Sequence, residues 1–237
     1  MPLHKPVISN QHGALVMAFV PFLYGMFAGQ PSLWHLLLGL AWLALYFCSY
    51  PLLSLFSKKP TERNRQWAII YGVISLIFAI PVLIYRPQLW QFFVPILPLA
   101  AVQLHFAKQR NERHILNDLA GILTFGIVGM ASYFLTTEQL NFAILIEPTL
   151  FFIGTTLYIK SVARERKNPL YLKLSLTWHL AILLIYLSNT QYLIAFAYLT
   201  ALVRAIIIPR QKWNIKQIGI LEFPITLLFL VALILGR

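Results

Sequence analysis

Long apolar runs, each closed by a few polar residues, restrict the folds open to this chain more than any other feature. Runs of membrane-spanning length fall at Gly13–Gly29, Leu33–Phe56, Trp67–Tyr85, Leu89–Ala107, Leu119–Thr136, Phe142–Ile159, Leu170–Leu187, Tyr192–Ile208 and Ile218–Leu235, nine in all. A helix needs roughly 17 to 25 mainly apolar residues to cross a bilayer, and these runs meet that length. The expected fold is all-α and polytopic, a single membrane domain of nine transmembrane helices. Composition agrees: 59% of residues are hydrophobic and 11% charged, against about a quarter charged in soluble domains. The run from Gly13 could be a signal-peptide core, but it has neither a basic leader nor a small-x-small cleavage site. It reads as a retained anchor.

The formal net charge of +12 could suggest nucleic-acid binding, but Lys and Arg fall in short clusters between apolar runs rather than on one soluble face. The charge reads as topology. Lys5, Lys58, Lys59, Arg63, Arg65, Lys108, Arg110, Arg113, Lys160, Arg164, Arg166, Lys167, Lys173, Arg204, Arg210, Lys212 and Lys216 lie on one side of a nine-span chain; Arg86 and Arg237 lie on the other. The positive-inside rule then puts the N-terminus in the cytoplasm and the C-terminus on the opposite side of a cell membrane. No nucleic-acid partner is expected, and membrane lipids are.

Setting the ninth span aside leaves two sets of four, with candidate halves 1–116 and 117–212 and a final helix 213–237. Asn10 opens the first as Asn117 opens the second, and "ERNR" at Glu62–Arg65 is echoed by "ERKN" at Glu165–Asn168. Pro21, Pro51, Pro81, Pro95, Pro98, Pro148 and Pro224 lie within spans, where each frees a carbonyl that a neighbour or a polar cavity must satisfy. "GQPS" and "SNTQ" read as tight turns.

Ionisable groups inside spans are costly and face the bundle interior, so they are the first candidates for a site. Asn10, Gln11, His12, Gln103, His105, Asn117, Asp118, Arg204 and Glu222 fall toward the basic side, His179 near mid-membrane and Glu147 toward the other side. Each has a structural reading as well. Asn10 and the Asn117–Asp118 pair can cap helices, Arg204 can snorkel to the interface, and His179 and Glu147 can make interhelical hydrogen bonds. Together these groups are expected to line a chamber opening to the cytoplasm under a cationic rim, suited to phosphate, carboxylate or an anionic lipid head.

Metal and nucleophile motifs are sparse. Asp118 is the chain's one Asp, Cys48 its one Cys, and there is no HExxH, P-loop or GxSxG. His12, His105 and His179 are the residues that could ligate a metal or haem, with histidine positions alone to support it.

"NQHGALVMAFVPFLYG" resembles the N-terminal signature of the YwiC-like family of bacterial integral membrane proteins, a Gln-His-Gly-Ala-Trp stretch leading to a Pro and a Gly. Gln11, His12, Gly13, Ala14, Pro21 and Gly25 match, and Leu15 takes the usual Trp position. The resemblance implies a bacterial or related inner membrane. More distantly the chain is similar to the UbiA superfamily of intramembrane prenyltransferases: "ERNRQW" resembles the tract that follows their first Asp-rich motif, and "NDLAGILTFG" the start of their fifth helix. That similarity implies a bundle of two four-helix halves plus a ninth helix, with Mg²⁺ and a prenyl diphosphate held by Asp-rich motifs after helices two and six. Here the corresponding stretches, "SKKPTERNRQW" and "KSVARERKNPL", carry a single Glu each. Arg63, Arg65, Arg164 and Arg166 would then bind the anion directly, or the chemistry is gone.

The functional expectation is binding or modification of an isoprenoid or other lipid-like anionic substrate, a divergent transferase in the second case. Its candidate residues are Gln11, His12, Arg63, Asn64, Arg65, His105, Asn117, Asp118, Arg164, Arg166 and His179. The alternative is a non-catalytic transporter or accessory protein of a respiratory system, with Glu147 and His179 as proton or partner contacts.

Overall fold

The computed structural model describes residues 5–8, 12–56, 60–211 and 213–236, with the backbone alone at His12. Among them the chain forms nine α-helices: α1 His12–Ala28, α2 Leu33–Leu55, α3 Glu62–Tyr85, α4 Phe93–Lys108, α5 Ile115–Thr137, α6 Ala143–Ile159, α7 Pro169–Ser188, α8 Tyr192–Ile207 and α9 Ile215–Leu235. A 3₁₀ segment, Pro87–Phe92, leads into α4, and a π turn, Lys160–Arg164, ends α6. Eight apolar helical stretches are long enough to cross a membrane, and α1 is a shorter apolar helix. The protein is a multi-pass membrane protein. Large apolar side chains such as Leu76, Ile77, Ile84 and Leu184 are exposed, as a lipid-facing surface requires.

The chain divides into two compact units, 1–145 and 146–237. In the first, α2 pairs with α3, and α5 packs on α1 and α4; the sequence halves instead place α5 at the start of the second. Lipid tails supply no hydrophobic drive between helices, so close approach and interhelical hydrogen bonds hold them. The α1–α5 crossing shows the first: a Cβ at Gly25 would lie 2.1 Å from the Gly129 carbonyl oxygen, and one at Gly129 would lie 2.6 Å from that of Pro21. Side chains aimed at backbone carbonyls supply the second. Trp42 donates to Ala18 (2.9 Å) and Ser75 to Ala41 (2.9 Å), joining α2 to α1 and α3 to α2.

Alternation across the bilayer is visible inside this unit. At one end Trp34 at the start of α2 stacks on Tyr85 at the end of α3, with ring centroids 4.2 Å apart. There Arg86, just past α3, pairs with Glu138, just past α5, at 2.5 Å. At the other end Lys108 lies over the Phe56 ring, 5.9 Å from its centroid, so α2 and α4 finish together where the basic residues collect.

The second unit is built on the α7–α8 and α8–α9 hairpins. Thr190, at φ 59°, takes the left-handed conformation that turns α7 into α8. Phe151 of α6 stacks on Phe229 of α9 (3.9 Å, 5°) and meets Tyr198 of α8 edge-on (5.6 Å).

Candidate functional site

Two polar centres stand out, one in each unit. The first is a cleft of about 280 Å³ at the basic end of unit one, lined by Pro6, Val7, Ile8, Tyr50, Arg63 and Asn64. Its wall depends on where α3 begins. Thr61 caps that helix, its hydroxyl accepting from the Asn64 amide at 3.2 Å, so Glu62–Arg65 form the first helical turn rather than a loop. That turn holds Arg63 against the segment of chain at residues 5–8: its Nε donates to the Lys5 carbonyl (2.9 Å) and Nη2 to that of Pro6 (2.6 Å). The cleft is amphipathic. Arg63 and Asn64 offer N–H donors, while exposed Ile8 and Tyr50 offer an apolar lip.

The second centre is buried in unit two. Arg204 of α8, 4% exposed, pairs through Nη1 with Glu222 of α9, and its guanidinium lies over the Tyr158 ring of α6, 4.1 Å from the centroid. Its Nη2 is 3.3 Å from Nε2 of His179 on α7. The histidine's other nitrogen, Nδ1, is 2.7 Å from the Ser175 carbonyl, which can only accept. Nδ1 therefore carries the proton and Nε2 accepts from Arg204. This corrects the snorkelling expectation: Arg204 turns inward because a carboxylate, a ring face and an imidazole meet it there.

The expected site residues are distributed as follows. Arg63 and Asn64 line the cleft, and Arg65 is exposed on the same helical turn. His105 is exposed at the end of α4, with Nε2 2.9 Å from Gln109 Nε2. Asn117 and Asp118 are part-buried in the first turns of α5, and Asn117 Nδ2 donates to the Glu112 carbonyl at 2.7 Å. The expected cap at Asn117–Asp118 is displaced to His114, whose Nδ1 accepts from the Leu116 amide at 3.3 Å. Arg164 and Arg166 are exposed in unit two, Arg166 donating to the carbonyls of Val162 and Trp213; His179 is its buried member. Asn10 and Gln11 lie outside the described residues, as do Lys58, Lys59, Lys212 and Arg237, and His12 is described as the first residue of α1.

Sequence reasoning missed Tyr50, Tyr158 and the Arg204–Glu222 pair. A signal for the pair was available: Arg204 lies about one turn before the end of α8 and Glu222 about two turns into α9, so a hairpin brings them near one another. Among the described residues no three His, Cys, Asp or Glu side chains come together as metal ligands. The Mg²⁺ site implied by the prenyltransferase similarity is not matched by these described residues.

A family model described as YwiC-like protein matches residues 8–133. The chain is 46% identical to an uncharacterized protein of Haemophilus influenzae over 98% of this chain and 99% of the relative. It is 36% identical to the uncharacterized protein YwiC of Bacillus subtilis over 98% of each. No solved structure matches it.

Proposed function

The chain belongs to the YwiC-like protein family, and for this member we propose that the cleft of unit one binds the anionic head of a lipid-like amphiphile, an isoprenoid among the candidates. The observation that carries the reading is the cleft's lining: a guanidinium and an amide on one wall, an aromatic ring and an isoleucine on the other. Arg63 spends two N–H groups on Lys5 and Pro6, and an arginine has five in a fixed fork suited to phosphate or carboxylate. A volume of about 280 Å³ is just below the small-molecule range of roughly 300–1,000 Å³. It suits a head and the first carbons of a tail, with the rest lying along the lipid-facing surface. Under the positive-inside rule this end faces the cytoplasm. The cleft's residues supply recognition; among the described residues that line it none is a carboxylate, imidazole or thiol, so binding is proposed rather than a reaction.

The test is mass spectrometry of lipid extracted from protein purified in mild detergent, for the wild type, Arg63→Gln, Asn64→Ala and Tyr50→Ala. An acidic amphiphile enriched over the surrounding membrane and depleted in the variants is expected. A bulk-like profile that none of the substitutions changes would overturn the reading. Asn64 and Tyr50 are included because changing Arg63 also releases two backbone carbonyls.

A further inference from the structure

The basic end of unit two is used by neither the cleft nor the buried Arg204–Glu222 pair. There the π turn Lys160–Arg164, the 3₁₀ segment Ile208–Arg210 and the start of α7 come into contact, over a core of Tyr158, Val162, Ala205, Ile208 and Ile218. Arg164, Arg166, Lys173, Arg210 and, at the start of α9, Lys216 are gathered at this end, all exposed.

Topology alone does not account for the charge. The positive-inside bias sorts Lys and Arg and is nearly indifferent to Asp and Glu, and the basic stretches of unit one carry acids among their cations: Glu62 beside Arg63 and Arg65, Glu112 and Asp118 around Arg113. Residues 160–173 and 208–216 of unit two carry Glu165 as their one acid. Both α7 and α9 also begin here, and the positive ends of their dipoles add to the field. One cation is held in place: Arg166 donates to the carbonyls of Val162 in the π turn and Trp213 ahead of α9, which spends two of its five N–H groups and leaves the rest for an acceptor outside the protein.

What borders the face chooses the partner. Leu170 and Leu174 lie within a turn of Lys173, Ile206 and Ile207 within a turn of Arg210, and Ile215 next to Lys216, and all five aliphatic side chains are exposed. A soluble anion gains nothing from such a border, whereas a phospholipid can set its phosphate at the cations and its chains along the aliphatic side chains. Clusters of roughly four to eight Lys and Arg beside a membrane span attract anionic lipid. We infer that this end of unit two binds the headgroup of an anionic phospholipid, with the phosphate held by the cations of the π turn, the turn that follows it and the Ile208–Arg210 segment. The site is independent of the amphiphile cleft.

Native mass spectrometry of the full chain, delipidated in neutral detergent and titrated with phosphatidylglycerol or phosphatidylcholine, tests this. The expected result is a phosphatidylglycerol adduct that phosphatidylcholine does not form, reduced roughly tenfold or more when Arg164, Arg166 and Arg210 are all changed to Gln. The adduct is expected to survive Arg63→Gln, which alters the cleft, and the triple change of Lys108, Arg110 and Arg113 to Gln, which removes the same charge from unit one. Equal adducts with the two lipids, equal losses in the two triple variants, or displacement by inorganic phosphate alone would overturn the inference. Because Arg166 ties two segments together, the double variant Arg164→Gln with Arg210→Gln serves if the triple variant does not fold.

Discussion

His35 in the first unit and His179 in the second are both almost wholly buried, at 2% and 0% exposure, and in both a backbone carbonyl selects the tautomer. Around His35 the bonding closes. Nε2 is 2.9 Å from the Ser132 carbonyl and Nδ1 accepts from the Ser32 amide at 3.1 Å, so the ring clamps the start of α2 to α5 and neither nitrogen remains. Around His179 the bonding leads to a charge: Nε2 meets Arg204, and Arg204 meets Glu222. The interior of the first unit is held by neutral bonds to backbone and by helices in direct contact, with its Arg86–Glu138 ion pair at one end, and it meets its proposed ligand at its rim. The second carries charge in its interior. A histidine's burial alone therefore says little; the partner of its second nitrogen separates a clamp from a centre.

Substitutions can break this contrast, and the largest effect is expected at the charged centre. Glu222→Ala leaves Arg204 buried without its counter-charge, and breaking such pairs costs roughly 3–5 kcal/mol. The double change Arg204→Met with Glu222→Leu removes both charges and is expected to recover much of that loss in a detergent melting assay. Failure of the double variant to recover would mean that the pair is needed for more than charge balance. Next comes the helix contact of unit one. Gly25→Ala places a methyl against the Gly129 carbonyl, and overpacking of this kind costs about 1–3 kcal/mol, occasionally more. A melting temperature indistinguishable from wild type would show that α1 and α5 are less tightly apposed. The smallest effect is expected at Arg86→Ala. Its partner Glu138 has a side chain 55% exposed, and exposed pairs contribute roughly 0–1 kcal/mol; a larger loss would place this pair in a drier setting than its exposure implies.

The helices were legible because hydropathy is a local property: each span cut from it overlies one observed helix, running a residue past it at Gly29, Phe56, Phe142 and Ile208 and reaching back into the 3₁₀ segment at Leu89. Polar helix ends were less so. Trp67 opens the third apolar run, but α3 starts at Glu62 because Thr61 caps it, a signal that a hydropathy count passes over. His114 took the cap expected at Asn117–Asp118 for a similar reason: the helix runs one turn further into the polar stretch. The individual charges of the candidate sites were visible, but their partners were not. Arg204 read as a residue reaching outward because nothing along α8 itself shows Glu222 waiting on α9. Arg63 was legible as an anion ligand, but its contacts with Lys5 and Pro6, which cross more than fifty residues of chain, were not. Interior charge pairing and the wall of the cleft both come from tertiary contact, so composition and spacing could nominate residues without joining them.

The most direct measurement places a photo-reactive amino acid at Tyr50, on the lip of the cleft, and identifies by intact-protein mass spectrometry what it captures in the native membrane. A discrete adduct with the mass of an acidic amphiphile, suppressed by Asn64→Ala and missing from a control probe at lipid-facing Leu184, is the expected result. Adducts at Tyr50 that match those at Leu184, or that persist unchanged in Asn64→Ala, would contradict a binding site at the cleft.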